Sequence, residues 1–323
     1  MIGRLVLSRL AQAVPVLLVV AALAFALSRV AGDPLAMLGP DATEAQRHAY
    51  AAELGLDAPL PVQYGRFLLH LARGDFGIST RLARPVGGLI AERLPATVEL
   101  AGVAFLASLA IGIAVGAYTA ARRRARSARL LMFGSLLGVS LPTFLTGTLL
   151  ILLFSATLRL LPSFGRGDVV AVGPWTTGLL TGGGWAALVL PASTLACFQS
   201  ALLLRLVRAG MSAALAGEVA RFSRARGLSR WLVLRHALRH ALVPVVAAAG
   251  VQLGTLVAFS VVTETVFQWP GIGQLLVQSV ASADVPVIAA YLVLVALLFV
   301  AINLAADLLC LAIDPRLRGT APA

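Results

Sequence analysis

Six long apolar runs, separated by polar or arginine-rich segments, dominate the pattern of hydrophobic and polar positions along the chain. The runs cover residues 10–28, 97–120, 130–158, 185–207, 241–263 and 286–312. Each run can cross a bilayer hydrocarbon core of about 30 Å as a helix, since such a helix needs about 20 residues. The pattern therefore predicts an all-α polytopic membrane protein with six transmembrane helices.

The first run also admits an interpretation as a secretory signal, because Arg4 and Arg9 precede it. We favour a spanning helix, since the run is long and lacks a clear small-x-small cleavage pattern at its end. The composition agrees with a membrane protein: 59% of the 323 residues are hydrophobic and 12% are charged. Soluble domains carry about twice that share of charge.

The basic residues are all arginines, and the chain contains no lysine. A P-loop ATPase needs a lysine at the nucleotide phosphates, and Schiff-base catalysis needs one as the nucleophile. The composition therefore excludes both classes for this chain. Most of the arginines fall on one side of an alternating topology, the side that holds both termini. The positive-inside rule then predicts cytoplasmic termini, and the excess of arginine needs no nucleic-acid partner.

The predicted spans divide the chain into an N-terminal helix at 1–30, an exported polar segment at 31–95, a five-helix core at 96–312 and a cytoplasmic tail at 313–323. The core includes an arginine-rich cytoplasmic loop at 208–240. The exported segment is patterned as short helices broken by glycine and proline. It is too long for a simple connector, which indicates docking to something outside the membrane.

The interiors of the spans contain small and weakly polar residues and few charges. The candidates for lining or gating a path through the membrane are Ser140, Pro142, Gln199, Gln252 and Glu264. Helix packing is the competing interpretation for each of them. No charged pair lies at mid-membrane, which disfavours a proton-coupled carrier acting through Glu264 and Asp307 but leaves it open. Cys197 and Cys310 are interpreted as small buried hydrophobic residues.

A cationic insert lies between the fourth and fifth runs, at 217–246. Charged residues recur every three positions from Glu218, with apolar residues beside them, which predicts a short amphipathic helix. Gly227 is expected to end this helix in a left-handed conformation, and Ser229 to cap the next helix. Attraction of anionic membrane lipid would explain the charge. It would not explain the glycine stop or the apolar Phe222, so a protein partner is favoured.

A membrane-embedded enzyme is disfavoured, because the sequence shows no clustered nucleophile and no metal motif. His236 and His240 have the i, i+4 spacing of a metal-binding pair. No glutamate lies between them and arginines surround them, so a polar helix face is the favoured interpretation. We therefore expect no catalytic residue, no metal site and no cofactor in this chain.

Five stretches, in this order, carry a resemblance that covers nearly the whole chain. They are GDPL at 32–35, LGLDAPLPVQYGRFLLHLARGDFGIS at 54–79, RARGLSRWLVLRHALRHALVPVV at 224–246, TETVFQWPGIG at 263–273 and DPRLRG at 314–319. Together they resemble the B-type permease subunits of ABC importers in the dipeptide, oligopeptide and nickel group. In two places the chain departs from the pattern: residues 221–223 read RFS where the wider family has a Glu-Ala-Ala triplet, and the interval from Gly227 to Pro244 is about one residue shorter.

The resemblance implies a type I ABC importer permease fold in a bacterial inner membrane, with a helical periplasmic insertion after the first span. It implies a second permease as a heterodimer partner, two cytoplasmic ABC ATPase subunits and a periplasmic or lipid-anchored solute-binding protein. Peptides are the first expectation for the solute. Nickel or a nickel chelate is the alternative.

The resemblance also implies roles for individual residues. The face offered to the ATPase is expected to comprise Glu218, Arg221, Phe222, Arg224, Ala225, Arg226, Gly227 and Leu228. Docking of the binding protein is expected to involve Asp75, Trp269, Pro270 and Gly271.

Overall fold

The computed structural model describes residues 2–30, 43–46 and 57–313. Nearly all regular structure in these ranges is helical, with one short β-hairpin. In chain order the elements are α1 (Ile2–Val30), α2 (Leu60–Ala72), α3 (Val86–Ala121), α4 (Arg126–Ser140), α5 (Thr143–Leu150), a π-helix (Ile151–Thr157), β1 (Val170–Val172), β2 (Trp175–Thr177), α6 (Gly182–Ala216), α7 (Glu218–Ala225), α8 (Arg230–Val266), α9 (Ile272–Ala281) and α10 (Val285–Ile313).

Within the described residues, five helices are long and apolar enough to cross a membrane, namely α1, α3, α6, α8 and α10. A sixth crossing is completed if α4 and the segment Thr143–Thr157 are one span, bent by 110° at the break between them. The run at 130–158 is therefore not the continuous helix that its hydrophobicity suggested. The break falls at Leu141, which is extended (ψ 130°), because a residue that precedes a proline is disfavoured in the helical region.

The centre of the bundle is α6, whose apolar stretch is the most buried of the spanning helices. It packs closely against α3, where glycines replace side chains at the contact. A Cβ added at Gly112 would lie 2.6 Å from the Leu203 Cβ, and one added at Gly116 would lie 2.7 Å from the Val207 Cβ. Such small residues allow membrane helices to approach each other, as the sequence pattern suggested. The second contact lies four residues after the first in both helices, so α3 and α6 run parallel.

The chain alternates between two surfaces of the bundle. Helix α8 runs antiparallel to α6, since Gly210 lies beside Ala241, while Gln199, earlier in α6, bonds Gln252, later in α8. The surface that carries α7 also carries the start of α1 and the end of α10, which an ion pair of 2.7 Å between Arg9 and Asp307 holds together. We call this the α7 surface. The other, which carries α2, the β-hairpin and α9, is the opposite surface.

Candidate functional site

Helix α7 is a short amphipathic helix that stands apart from the membrane-spanning bundle. Gly217 leaves α6 in an extended conformation (ψ 174°), so the chain changes direction before α7 begins. Glu218 lies in the first turn and Arg224 in the last, the charge order that the helix dipole favours. Ala220 and Ser223 are buried against the bundle. The helix therefore has one face fixed to the protein and another free of it.

The turn after α7 has the geometry that the sequence predicted. Gly227 has φ +71°, and its N–H donates to the Arg224 carbonyl at 3.0 Å. The Leu228 N–H donates to the Ser223 carbonyl at 3.2 Å, which completes a Schellman motif. Nothing lies within 4 Å of a Cβ built at position 227. The requirement for glycine there comes from the backbone conformation alone.

The next helix begins as expected at Ser229, whose hydroxyl accepts a hydrogen bond from the Leu232 N–H at 3.4 Å. Helix α7, this turn and α8 as far as His240 together form a helical hairpin that we call the cationic hairpin. The residues predicted to face the ATPase lie together on it: Glu218, Arg221, Phe222, Arg224, Ala225, Arg226 and Gly227 are exposed, and Leu228 is half-buried. Their docking role stays a prediction.

Two aromatic side chains dominate the exposed face of the cationic hairpin. Phe222 is 64% exposed, and the Arg226 guanidinium lies 5.5 Å from the centre of its ring, within the range of a cation–π contact. Trp231 is 72% exposed and was not among the predicted contacts. Its position in the first turn of α8, directly after Ser229 and Arg230, was the signal that could have identified it. Exposed aromatic residues beside arginines are typical of protein-binding surfaces.

Behind α7 lies a cleft of about 290 Å³ between α7, the end of α6 and the start of α8. His236 and His240 line it from α8, and Glu218 lines it from α7. Among the described residues, no group of three His, Cys, Asp or Glu side chains is placed to hold a metal ion. The two histidines form part of the polar face of α8 where it leaves the membrane.

The structure does not bring the five predicted pathway residues together. The Gln199 amide donates to the Gln252 side-chain carbonyl and to its backbone carbonyl, both at 3.0 Å. This pair is largely buried and joins α6 to α8. Ser140 and Pro142 are exposed at the bend between α4 and α5, about which the sixth span turns. Their role in the pathway stays a prediction.

A different stripe of α6 is open along the membrane. It comprises Trp185, Val189, Ser193 and Cys197, which recur every four residues and are exposed. Together with Val103, Ala107 and Ile111 of α3, the stripe forms part of a mostly apolar groove of about 410 Å³. Cys197 was expected to be buried, and the structure corrects this: its thiol is free and exposed. Helical periodicity fixes which residues share a stripe, but not which stripe the other spans leave uncovered.

Glu264, the fifth predicted pathway residue, is fully buried at the opposite surface. Several hydrogen bonds converge on its carboxylate. Its carboxylate accepts from the Thr97 hydroxyl at 2.7 Å, the Ser260 hydroxyl at 3.2 Å and the Gln274 N–H at 2.9 Å. These donors belong to α3, α8 and α9. The Thr97 hydroxyl also accepts from the Ile272 N–H at 2.9 Å. The carboxylate therefore ties three elements together.

Two of the predicted docking residues lie inside the fold. Trp269 is 1% exposed, and its indole N–H donates to the Ala96 carbonyl at 2.8 Å. Gly271 is buried against the Glu264 side chain, and any Cβ there would overlap the carboxylate. Their burial argues against direct contact with a docked protein. The sequence could not show this, because tryptophan and glycine in a loop are as consistent with exposure as with packing.

The other two docking candidates are accessible. Pro270 is half-buried and Asp75 is exposed. The Asp75 carboxylate accepts from the Gly77 N–H at 3.0 Å and meets His70 Nδ1 at 2.9 Å. These hydrogen bonds, first from Gly77 and then from His70, hold the pKa of Asp75 below its usual value. The carboxylate stays ionised at neutral pH, and its docking role remains a prediction.

A buried ion pair anchors the loop between the π-helix and α6. The Arg166 guanidinium donates to Glu99 at 2.6 Å, and both side chains are less than one tenth exposed. Arg166 also donates to the Thr176 carbonyl at 2.7 Å, which fastens the β-hairpin to α3. The sequence placed Glu99 near the end of its span, but it gave no reason to pair it with an arginine 67 residues away.

Comparison with known proteins gives a consistent result along the chain. Residues 112–319 match the family described as binding-protein-dependent transport system inner membrane component. Residues 1–101 match the N-terminal family of the same systems. A protein of Brucella melitensis, named as a peptide transport system permease, is 40% identical over 322 residues, which is 98% of this chain and 99% of that protein.

A second relative is the glutathione transport system permease protein GsiC of Salmonella paratyphi A, which is 38% identical over 316 residues, 97% of this chain and 98% of that protein. Among solved structures, a chain of the MetNI methionine ABC transporter in inward-facing conformations superposes with a TM-score of 0.57. That likeness covers 70% of this chain and 96% of the other, at 22% identity. At this identity it shows the fold, which is that of an ABC importer permease.

Proposed function

Because the chain belongs to the family of inner membrane components of binding-protein-dependent transport systems, we propose that it is the non-catalytic permease subunit of an ATP-driven peptide importer. It forms the translocation path with a second permease subunit. Two separate ATPase subunits supply the energy from the cytoplasm, and a solute-binding protein delivers the solute from the other side.

The cationic hairpin is the observation that carries this proposal. It presents exposed arginines and two exposed aromatic side chains on a helical hairpin between two membrane-spanning helices. The chain has no lysine for a P-loop of its own. A helix held in this way suits a groove on another protein, and arginine forks can bind carboxylates there through paired hydrogen bonds. On this view the α7 surface faces the cytoplasm, in agreement with its excess of arginine.

Movement of the cationic hairpin would act directly on the spans. Helix α7 follows α6 after a single residue, Gly217, and four residues separate it from α8. A shift of α7 driven by the ATPases therefore displaces both α6 and α8, whose buried glutamine pair keeps them together. We propose that this movement opens and closes the path, and that the bend at Pro142 provides a flexible point. Rigid elements linked by short turns transmit such motions.

Substitution of Gly227 tests the coupling. Gly227→Val should abolish uptake, because a β-branched residue at φ +71° is strongly disfavoured. Gly227→Asn is the matched control, since asparagine tolerates the left-handed region best among residues other than glycine, and it should retain most uptake. Uptake is measured in cells in which both variants reach the membrane in normal amounts. Normal uptake by the valine variant would contradict the proposal.

Peptides are proposed as the solute because relatives covering nearly the whole chain are named as peptide and glutathione permeases. The expected result is accumulation of a labelled dipeptide or tripeptide that depends on this chain and is competed by unlabelled peptide. Labelled nickel provides the comparison. Chain-dependent uptake of nickel, with no uptake of any peptide, would replace the peptide proposal with the nickel alternative and leave the coupling proposal standing.

A further inference from the structure

Helix α2 follows the first span in the chain and packs against the sides of two membrane-spanning helices. Tyr64 and Phe67 place their rings 5.6 and 5.7 Å from the ring of Phe25 in α1. The Tyr64 hydroxyl donates to the Leu18 carbonyl at 2.8 Å. Further along α2, Phe67 and Leu71 pack on a cluster that joins α1 to α10. The helix is thus held by side chains within the spans, rather than by loops above them.

The depth of these contacts follows from helix geometry. Arg9 and Arg29 are 20 residues apart in α1, about 30 Å at 1.5 Å per residue, which matches the thickness of the hydrocarbon core. Val20 packs from α1 against the same cluster as Phe67 and Leu71, and it lies nine residues before Arg29, about 13 Å below that boundary. Helix α2 therefore packs at the level of one leaflet.

Helix α10 gives an independent estimate of the same depth. Val293 belongs to the cluster and follows the first residue of α10, Val285, by eight positions. That distance is about 12 Å along the helix. Two helices of opposite direction thus place the buried side of α2 at the same depth, in the leaflet at the opposite surface.

The face of α2 that points away from the protein is also apolar. Val62 and Leu69 are exposed there, Leu69 to 50%, although a helix facing water would present polar residues on this face. Basic residues are confined to one edge. That edge carries Arg66 and His70, and Arg73 continues it directly after the last residue of the helix; all three are exposed.

From this arrangement we propose that α2 is an interfacial membrane helix that binds phospholipid. Its outward apolar face, with Val62 and Leu69, lies among acyl chains, and its basic edge contacts the phosphates of the headgroups. An amphipathic helix at this depth is stabilised by the burial of its apolar face together with attraction between its basic residues and lipid phosphates. Arginines at its edge can extend to the headgroups while their aliphatic stems remain in the apolar layer. The inference concerns the anchoring of the permease and does not depend on coupling to an ATPase.

Spin labels in the full chain test the proposal. The chain is reconstituted in vesicles of phosphatidylethanolamine and phosphatidylglycerol, with Cys197 and Cys310 replaced by alanine. A label at Leu69→Cys should collide frequently with oxygen and rarely with a water-soluble nickel chelate, as lipid-facing positions do. Leu23→Cys, on an exposed side chain of α1, is the lipid reference, and Arg226→Cys in the cationic hairpin is the aqueous reference.

Two further labels make the result decisive. Val62→Cys should repeat the behaviour of Leu69→Cys from an independent position on the same face. Arg66→Cys should give collision rates between the lipid and aqueous references, because it lies at the edge assigned to the headgroups. A label at position 69 that meets the nickel chelate as freely as the aqueous reference would overturn the proposal. So would a label shielded from both reagents, since protein would then cover the face.

Discussion

At the scale of single residues, the buried Arg166 and Glu99 form an ion pair within the fold. Arg166 is buried, yet its guanidinium reaches Glu99, the Thr176 hydroxyl at 2.9 Å and the Thr176 carbonyl. Burial of an isolated charge would cost several kcal/mol, so the pair is stable only as a unit. Through Arg166, the pair fastens the β-hairpin to α3.

Removal of one partner should therefore cost more than removal of both. Arg166→Met leaves the Glu99 carboxylate buried without its counter-charge and should destabilise the protein by about 3–5 kcal/mol. The double variant Glu99→Met with Arg166→Met should recover a substantial part of this loss, because apolar replacements of buried pairs are often tolerated. Thermal unfolding in detergent measures both. A double variant less stable than Arg166→Met would contradict the account.

Features that depend on neighbouring residues could be predicted from the sequence, whereas contacts between residues far apart in the chain could not. The left-handed Gly227 and the cap at Ser229 depend on neighbours within a few positions, so both were predicted and are confirmed. The partners of Glu99 and Glu264 lie far along the chain. No periodicity encodes such pairings, which arise only when the spans pack. The buried state of Trp269 was missed for the same reason.

At the scale of elements, the packing of α3 on α6 depends on residues without side chains. Gly116 lies so close to α6 that an added Cβ would be 2.8 Å from the Leu204 backbone carbonyl. Backbone atoms cannot rotate away as side chains can. The two helices must therefore separate if any residue larger than glycine occupies this position, and every contact of α6 with α8 would be disturbed in turn.

A matched pair of substitutions in α3 isolates this effect. Gly116→Ala should lower the unfolding temperature, because the clash outweighs the helix propensity that alanine adds. Gly102→Ala, in the same helix with open space around its Cα, should be neutral or stabilising by up to about 1 kcal/mol. Unfolding of the two purified variants is compared under identical detergent conditions. Equal stability of both variants would show that the α3–α6 approach is not tight.

The hydrophobic runs predicted the positions of the spans along the chain more accurately than the bends within them. Five of the six runs correspond to single helices that extend beyond the predicted limits, because helices continue into the aqueous phase where hydropathy falls. The remaining run, at 130–158, is divided by a bend of 110°. Pro142 marked the possible position of a kink, but the angle depends on how α4 and α5 pack on their neighbours. Composition does not carry that information.

At the scale of the whole molecule, the distribution of arginine and the fold agree. The sequence placed both termini and the cationic insert on one side of the membrane, and the structure places the start of α1, the end of α10 and α7 on one surface. We propose that the energy for transport comes from another subunit, since this chain has no lysine for a P-loop of its own. The central claim is thus that a separate ATPase binds the cationic hairpin.

Site-specific photo-crosslinking in intact cells tests this claim most directly. A photoreactive amino acid replaces Phe222 on the exposed face of α7, and in a control it replaces Val172, which is exposed on the β-hairpin at the opposite surface. The account predicts an adduct between position 222 and an ABC ATPase subunit, and none from position 172. If position 222 gives no ATPase adduct, or position 172 gives one equally, the α7 surface is not the docking surface and the proposed coupling is wrong.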